Sequence, residues 1–240
     1  MAKGYVHSFQ TGAAADGPGV RFALFVAGCP LRCLYCHNPD TWAMNGGTLM
    51  DSREVALKIG EYASFLRTAG GLTISGGEPL VQPAFVGDVF KRAKRIYRLH
   101  TALDTQGYLA GRLPDEWFKN VDLVLLDIKE INPERYKRLT GVELEPTLEF
   151  AKRLERLGIE TWLRYVLVPG LTDFPEDVLK LADFIRPLKN FTRADVLPFH
   201  NMAIHKWDEL GLPYALRNQR SPTREEAAQV QEILSEAVKR

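Results

Sequence analysis

Six short apolar, β-rich runs recur along this chain, each followed by a helix-like pattern, and that alternation restricts the fold more than any other feature. The runs cover residues 20–27, 72–75, 100–103, 121–129, 160–168 and 194–197. The first, VRFALFVA, is nearly continuous apolar, as a strand buried on both faces is. Between them lie amphipathic stretches. One opens at Asp51, with Glu54 placed for a capping box and Val55, Ile59, Tyr62, Ala63 and Leu66 as its apolar stripe, and ends at Gly70 and Gly71. Another sets Phe85, Val89, Phe90, Ala93 and Tyr97 against Lys91, Arg92, Lys94 and Arg95, which read as a solvated face. Further helices are predicted over 114–119, from Pro133, over 145–157 and over 175–188. A last one opens at Ser221 and Pro222 and turns Ala227, Val230, Leu234, Ala237 and Val238 inward. Residues 4–9 read as a lead-in strand. Strands alternating with helices imply a parallel sheet with right-handed crossovers. Six units are fewer than a closed barrel needs, so the expected class is α/β, a partial (β/α)6 barrel of the TIM type.

No linker, repeat or low-complexity stretch divides the 240 residues, so one domain over 1–240 is expected. A net charge of +1 gives no reason to expect nucleic acid as a partner. No apolar run approaches the roughly 20 residues that span a bilayer. The start of the chain lacks a secretory apolar core. An odd cysteine count points away from disulfides and toward a reducing, cytoplasmic setting.

All three cysteines fall on the loop after the first run: Cys29, Cys33 and Cys36, spaced Cys-x3-Cys-x2-Cys among glycine and proline. A thiolate set of this kind selects zinc, copper(I) or an iron–sulfur cluster. A structural zinc with His37 as fourth ligand has closed stoichiometry in its favour, but His37 abuts Cys36. Most clusters take four cysteines. With three, a [4Fe-4S] cluster would keep one iron open to another ligand, and this reading fits best.

Polar or glycine-rich residues follow every run. They are the cysteine loop, Gly76-Gly77-Glu78-Pro79, Asp104-Thr105, Asp127 with Lys129, Arg164 within the fifth run, and His200 after the sixth. In parallel α/β folds chemistry gathers at this edge. Each has a plainer reading. The glycines could make only a tight turn, and Asp104 could cap a helix. Asp127 and Lys129, on one face at i, i+2, could pair with each other. Arg164 could serve an interior ion pair, and His200 could be structural.

The cysteine spacing resembles the signature of the radical S-adenosylmethionine (radical SAM) superfamily. The string from Cys33 to Trp42 (CLYCHNPDTW) resembles, more narrowly, the glycyl-radical activating enzymes of pyruvate formate-lyase. The likeness in motif order runs from Asp16-Gly17-Pro18-Gly19 to Lys206-Trp207; Pro79 stands where members often carry Ala. The resemblance implies an oxidoreductase with a [4Fe-4S] cluster on Cys29, Cys33 and Cys36. It would cleave S-adenosylmethionine reductively to a 5′-deoxyadenosyl radical that takes a glycine Cα hydrogen from pyruvate formate-lyase (formate acetyltransferase). It further implies S-adenosylmethionine contacts from Tyr35, Cys36, His37, Gly76, Gly77, Glu78, Asp127, Lys129, Arg164 and His200. Asp104, Thr105 and Leu125 would hold a monovalent cation, and Asp16 would contact the partner's glycine loop. A flavodoxin-like electron donor and a monomeric chain are also expected. Another glycyl-radical enzyme or a small molecule is the alternative target, and a zinc-stabilised binding module the alternative of another class.

Overall fold

The computed structural model describes residues 2–239. Its strands are β1 (Lys3–Ala13), β2 (Val20–Val26), β3 (Thr48–Asp51), β4 (Gly70–Gly76), β5 (Thr101–Thr105), β6 (Leu123–Asp127), β7 (Glu160–Leu167) and β8 (Phe191–Pro198). Its α-helices are α1 (Ser52–Gly60), α2 (Ala63–Ala69), α3 (Pro83–Tyr97), α4 (Pro133–Thr140), α5 (Glu145–Leu157), α6 (Pro175–Ile185), α7 (Ile204–Glu209) and α8 (Arg224–Val238). The strand order is β3-β1-β2-β4-β5-β6-β7-β8.

All six expected strands are present, within a few residues. The pairs β2/β4, β4/β5 and β7/β8 are parallel, as crossover helices require. Two antiparallel strands enlarge the expected sheet. The lead-in strand extends to Ala13, pairing with β2 through two register shifts, and β3 pairs with its start. The extension beyond residue 9 and β3 carried no periodic signal, because most of those residues face solvent and tolerate polar side chains.

The helix expected from Asp51 breaks in two. Asp51 caps α1 and makes the capping box with Glu54, but the chain turns at residues 60–62. A Cβ on Gly60 would sit 2.5 Å from the Tyr97 hydroxyl, so the break is where a neighbouring ring needs room. The stretch near 114 is a 3-10 helix, Asp115–Asn120. The last helix is capped by Thr223 rather than Ser221, because Thr223 and Glu226 form a reciprocal capping box. Thr223→Ala is expected to cost about 1 kcal/mol, read as a fall in Tm of about 2–4 °C.

Two compact units divide the chain. The first takes residues through Pro30, Thr41–Thr105 and Leu109–Leu125; the second takes Leu31–Asp40, Gln106–Tyr108 and everything from Leu126 on. The first is built on β2 and β4, whose apolar side chains are almost wholly buried. One charge lies among them. Arg21 is 0% exposed, and its guanidinium donates to Thr73 Oγ1 (3.0 Å) and Leu72 O (2.6 Å), with His100 Nδ1 3.2 Å away. It also reaches Pro18 O at 3.4 Å, while Thr73 Oγ1 donates to Asp16 O at 2.6 Å, so the Asp16-Gly19 turn hangs on this network.

In the second unit, α8 packs on β8 and α6. The cysteine loop is fixed by α4. Arg32 N donates to Thr140 O (2.8 Å) and Leu34 N to Leu139 O (3.0 Å). The last carbonyls of a helix have no partner within it, and here the loop supplies the donors.

Candidate functional site

The strand-end residues of the first unit form a stitched framework. Gly76 has φ +119, and a Cβ there would lie 2.3 Å from Val26 O; a Cβ on Gly77 would lie 2.3 Å from Gly28 O. Gly77 N donates to Val26 O (2.9 Å) and Glu78 N to Gly28 O (2.8 Å). The two glycines therefore serve a close approach of backbone to backbone, directly before Cys29. Cys29 is 8% exposed, and its own N–H donates to Trp42 O at 3.3 Å. Glu78 is 0% exposed, and its Oε1 accepts from Leu80 N (2.9 Å) and Thr105 Oγ1 (2.7 Å). Asp104 lies in β5 and accepts from Ser75 Oγ at 2.6 Å. The neighbouring 3-10 helix, Ala110–Arg112, has Leu109 at its N-cap, so capping is not the use made of Asp104. Leu125, in β6, is buried.

The second unit gathers charge, thiol and aromatic ring. Lys129 Nζ lies 3.3 Å from Asp127 Oδ2, the pairing their spacing allows, and 5.6 Å from the centroid of the Tyr35 ring. Burial opposes the Lys129 charge, but Asp127, Tyr35 and Cys33 together hold its pKa well above the usual value. Burial pushes the Cys33 thiol up to about 12, with Lys129 pulling the other way. Tyr35 is 4% exposed, and its hydroxyl has no hydrogen-bond partner. Cys36 N donates to Cys33 O at 3.1 Å, closing the turn between them. His37 is lowered by burial and then by His200; its Nε2 lies 3.1 Å from His200 O, so that nitrogen carries the proton. The two rings stack with centroids 4.2 Å apart. His200 Nδ1 is buried without a partner. Arg164 lies mid-β7, in register with Asp195.

Among the described residues no three His, Cys, Asp or Glu side chains form a mononuclear metal site, and no disulfide joins the cysteines. A cluster asks its thiolates for one iron each rather than for a common point. Three thiols on one loop, its backbone fixed by α4 and with a buried ammonium beside Cys33, fit that requirement.

Lys206 and Trp207 were legible only as the end of the family-like motif order, and neither their contacts here nor Tyr214 were within reach of sequence reasoning. Trp207 donates to Cys36 O at 3.0 Å, Tyr214 stacks on it, and Lys206 reaches Asn38 and Asp40. No periodicity links positions so far apart. Arg21 did leave a signal, a charge inside an apolar run.

The fold and donor set define a radical SAM protein: residues 24–185 match the family described as the Radical SAM superfamily. The chain is 40% identical over 237 residues to the pyruvate formate-lyase-activating enzyme of Clostridium pasteurianum, covering 98% of this chain and 99% of that one. It is 42% identical over 234 residues to that of Staphylococcus epidermidis, covering 92% and 91%. The crystal structure of a domain of a pyruvate-formate lyase-activating enzyme from Bacteroides vulgatus shares the fold, with TM-score 0.58 and 24% identity over 70% of this chain and 95% of that one. The chain therefore belongs to the radical SAM superfamily and, within it, to the family of pyruvate formate-lyase-activating enzymes. The family works with a [4Fe-4S] cluster and S-adenosylmethionine, and the α/β class expected from the sequence is the one these proteins share.

Proposed function

We propose that this chain, one radical SAM domain over residues 1–240, generates the glycyl radical of pyruvate formate-lyase. The carrying observation is the Cys29-x3-Cys33-x2-Cys36 loop in a chain with no other cysteine. The similarity of nearly the whole chain to activating enzymes supports the target. When bound, the cluster and S-adenosylmethionine supply one-electron reductive cleavage of the sulfonium and the 5′-deoxyadenosyl radical that removes a glycine Cα hydrogen.

The chain's own residues bind, orient and exclude water. Cys29, Cys33 and Cys36 hold the cluster. Gly76, Gly77 and Glu78 present a rigid backbone edge to the methionine end of the cosubstrate. The Lys129 ammonium and the Arg164 guanidinium suit its carboxylate, with Asp127 holding Lys129 in place. Tyr35, Cys36, His37 and His200 complete the contacts, the unpartnered Tyr35 hydroxyl and His200 Nδ1 being available to a polar ligand. Asp104, Thr105 and the Leu125 carbonyl are oxygen donors of the kind a monovalent cation takes. Asp16, on the turn that Arg21 and Thr73 hold, meets the partner's glycine loop. A flavodoxin-like donor, a monomeric chain and a cytoplasmic setting belong to the same reading. No helix among the described residues is long and apolar enough to cross a membrane.

The test is anaerobic. Reconstituted protein, reductant and S-adenosylmethionine are mixed with pyruvate formate-lyase or with another glycyl-radical enzyme. A glycyl EPR doublet in the first and none in the second is the expected result. A doublet in the second alone would reassign the partner, and no doublet in either would defeat the reading.

A further inference from the structure

The chain after Phe199 returns to the cysteine loop from 163 to 171 positions away and grips it through His200, Lys206 and Trp207. His200 O faces His37 Nε2. Lys206 Nζ donates to Asn38 Oδ1 at 2.9 Å and to Asp40 Oδ1 at 3.2 Å. Trp207 Nε1 donates to Cys36 O at 3.0 Å. Tyr214 then stacks on Trp207, centroids 4.7 Å apart and planes 25° from parallel. Both rings are nearly buried, at 6% and 7% exposure.

Besides His200 Nδ1, which the proposed function already uses, one buried atom in this arrangement lacks a partner. The Tyr214 hydroxyl is buried with no hydrogen-bond partner. Leaving such a group unmade costs about 1–3 kcal/mol, and native folds rarely leave one without a use. The hydroxyl lies on the Cys36 side of the stack, near enough to feel that residue's charge, and a phenol O–H is a hydrogen-bond donor.

We propose that Trp207 and Tyr214 are positioning residues for the iron–sulfur cluster on its Cys36 side, the indole holding the Cys36 peptide and the Tyr214 O–H donating to sulfur there. The proposal rests on Cys36 being a cluster ligand. Hydrogen bonds to cluster sulfurs are among the factors that set the reduction potential. Sulfur in the reduced state is the more electron-rich and accepts more strongly, so such a donor favours reduction. The pair would thus ease delivery of the electron that the proposed chemistry consumes.

The test compares the full-length parent with Tyr214→Phe and Trp207→Phe, all reconstituted anaerobically. Tyr214→Phe keeps the ring and its stack. It is expected to match the parent in iron content and Tm, while its reduced-cluster EPR g values change and its midpoint potential moves to more negative values. Trp207→Phe is expected to lose iron to a chelator about tenfold faster. Superimposable EPR spectra and equal potentials for Tyr214→Phe would overturn the role of the hydroxyl. Unchanged iron release from Trp207→Phe, whatever its Tm, would overturn that of the indole. A parent that takes up no iron and sulfide would instead sink the cluster reading beneath the proposal.

Discussion

Cys33→Ala is expected to give a folded, colourless protein that retains little iron and whose S-adenosylmethionine cleavage falls to background. The chain has three cysteines, so no spare thiol can replace the lost ligand. Cys33 is 7% exposed, and its carbonyl accepts from Cys36 N on the loop that α4 holds. Alanine removes one sulfur from that buried spot, a cavity worth about 1 kcal/mol. The backbone bonds from Arg32 and Leu34 to α4 involve no side chain at position 33, so the loop should keep its path. The effect on chemistry is therefore far larger than the effect on folding. Iron analysis, with thermal denaturation of the metal-free chain as control, separates them. A Cys33→Ala protein that still held a full cluster would remove Cys33 from the ligand set.

Arg21→Met is expected to produce a large loss of stability at a position away from the cluster. The guanidinium is 0% exposed, and its bonds to Leu72 O, Thr73 Oγ1 and the His100 ring are short or close. Burial lowers its pKa to about 10, with Asp122 and Asp16 opposing, so it remains a cation at neutral pH. Methionine fills a similar volume but leaves the Leu72 carbonyl without that donor inside the protein. Each hydrogen bond to a charged group contributes about 1.5–3 kcal/mol, and a total near 3 kcal/mol would lower Tm by about 6–12 °C in a chain of this size. Lysine should rescue little, since it lacks the planar fork that reaches several acceptors at once. The same network tethers the Asp16-Gly19 turn. Glycyl-radical formation is therefore expected to weaken through a higher KM for the partner enzyme, while partner-free S-adenosylmethionine cleavage changes less. Equal Tm for parent and Arg21→Met would contradict this account of the first unit.

What the sequence reveals divides along physical lines. Strands buried on both faces, such as β2, β4 and β6, write their burial into composition and were legible, as were β7 and β8 despite their mixed burial. So was the cysteine loop, because ligand spacing is a local property of the chain. β3 was not, because four half-exposed residues carry no period and are fixed by pairing with β1. The break at residues 60–62 falls at Gly60, where a Cβ would meet the Tyr97 ring of α3, a neighbour no local pattern encodes. Gly76 and Gly77 were legible as special positions, but the structure adds their immediate use: the adjoining strand's backbone lies where a side chain would be. Among the site residues, Asp127 and Lys129 announced themselves by their i, i+2 spacing, though β6 ends at Asp127 and Lys129 lies just beyond it. Trp207 and Tyr214 did not, since their tie to Cys36 exists only once the chain has folded back on itself.

The most direct test is the metal and sulfide content of anaerobically reconstituted parent protein, read with its response to S-adenosylmethionine. The account predicts a [4Fe-4S] cluster per chain, an EPR signal of the reduced cluster that changes when S-adenosylmethionine is added, and release of 5′-deoxyadenosine. A colourless chain carrying one zinc and no iron, with no deoxyadenosine formed, would contradict it.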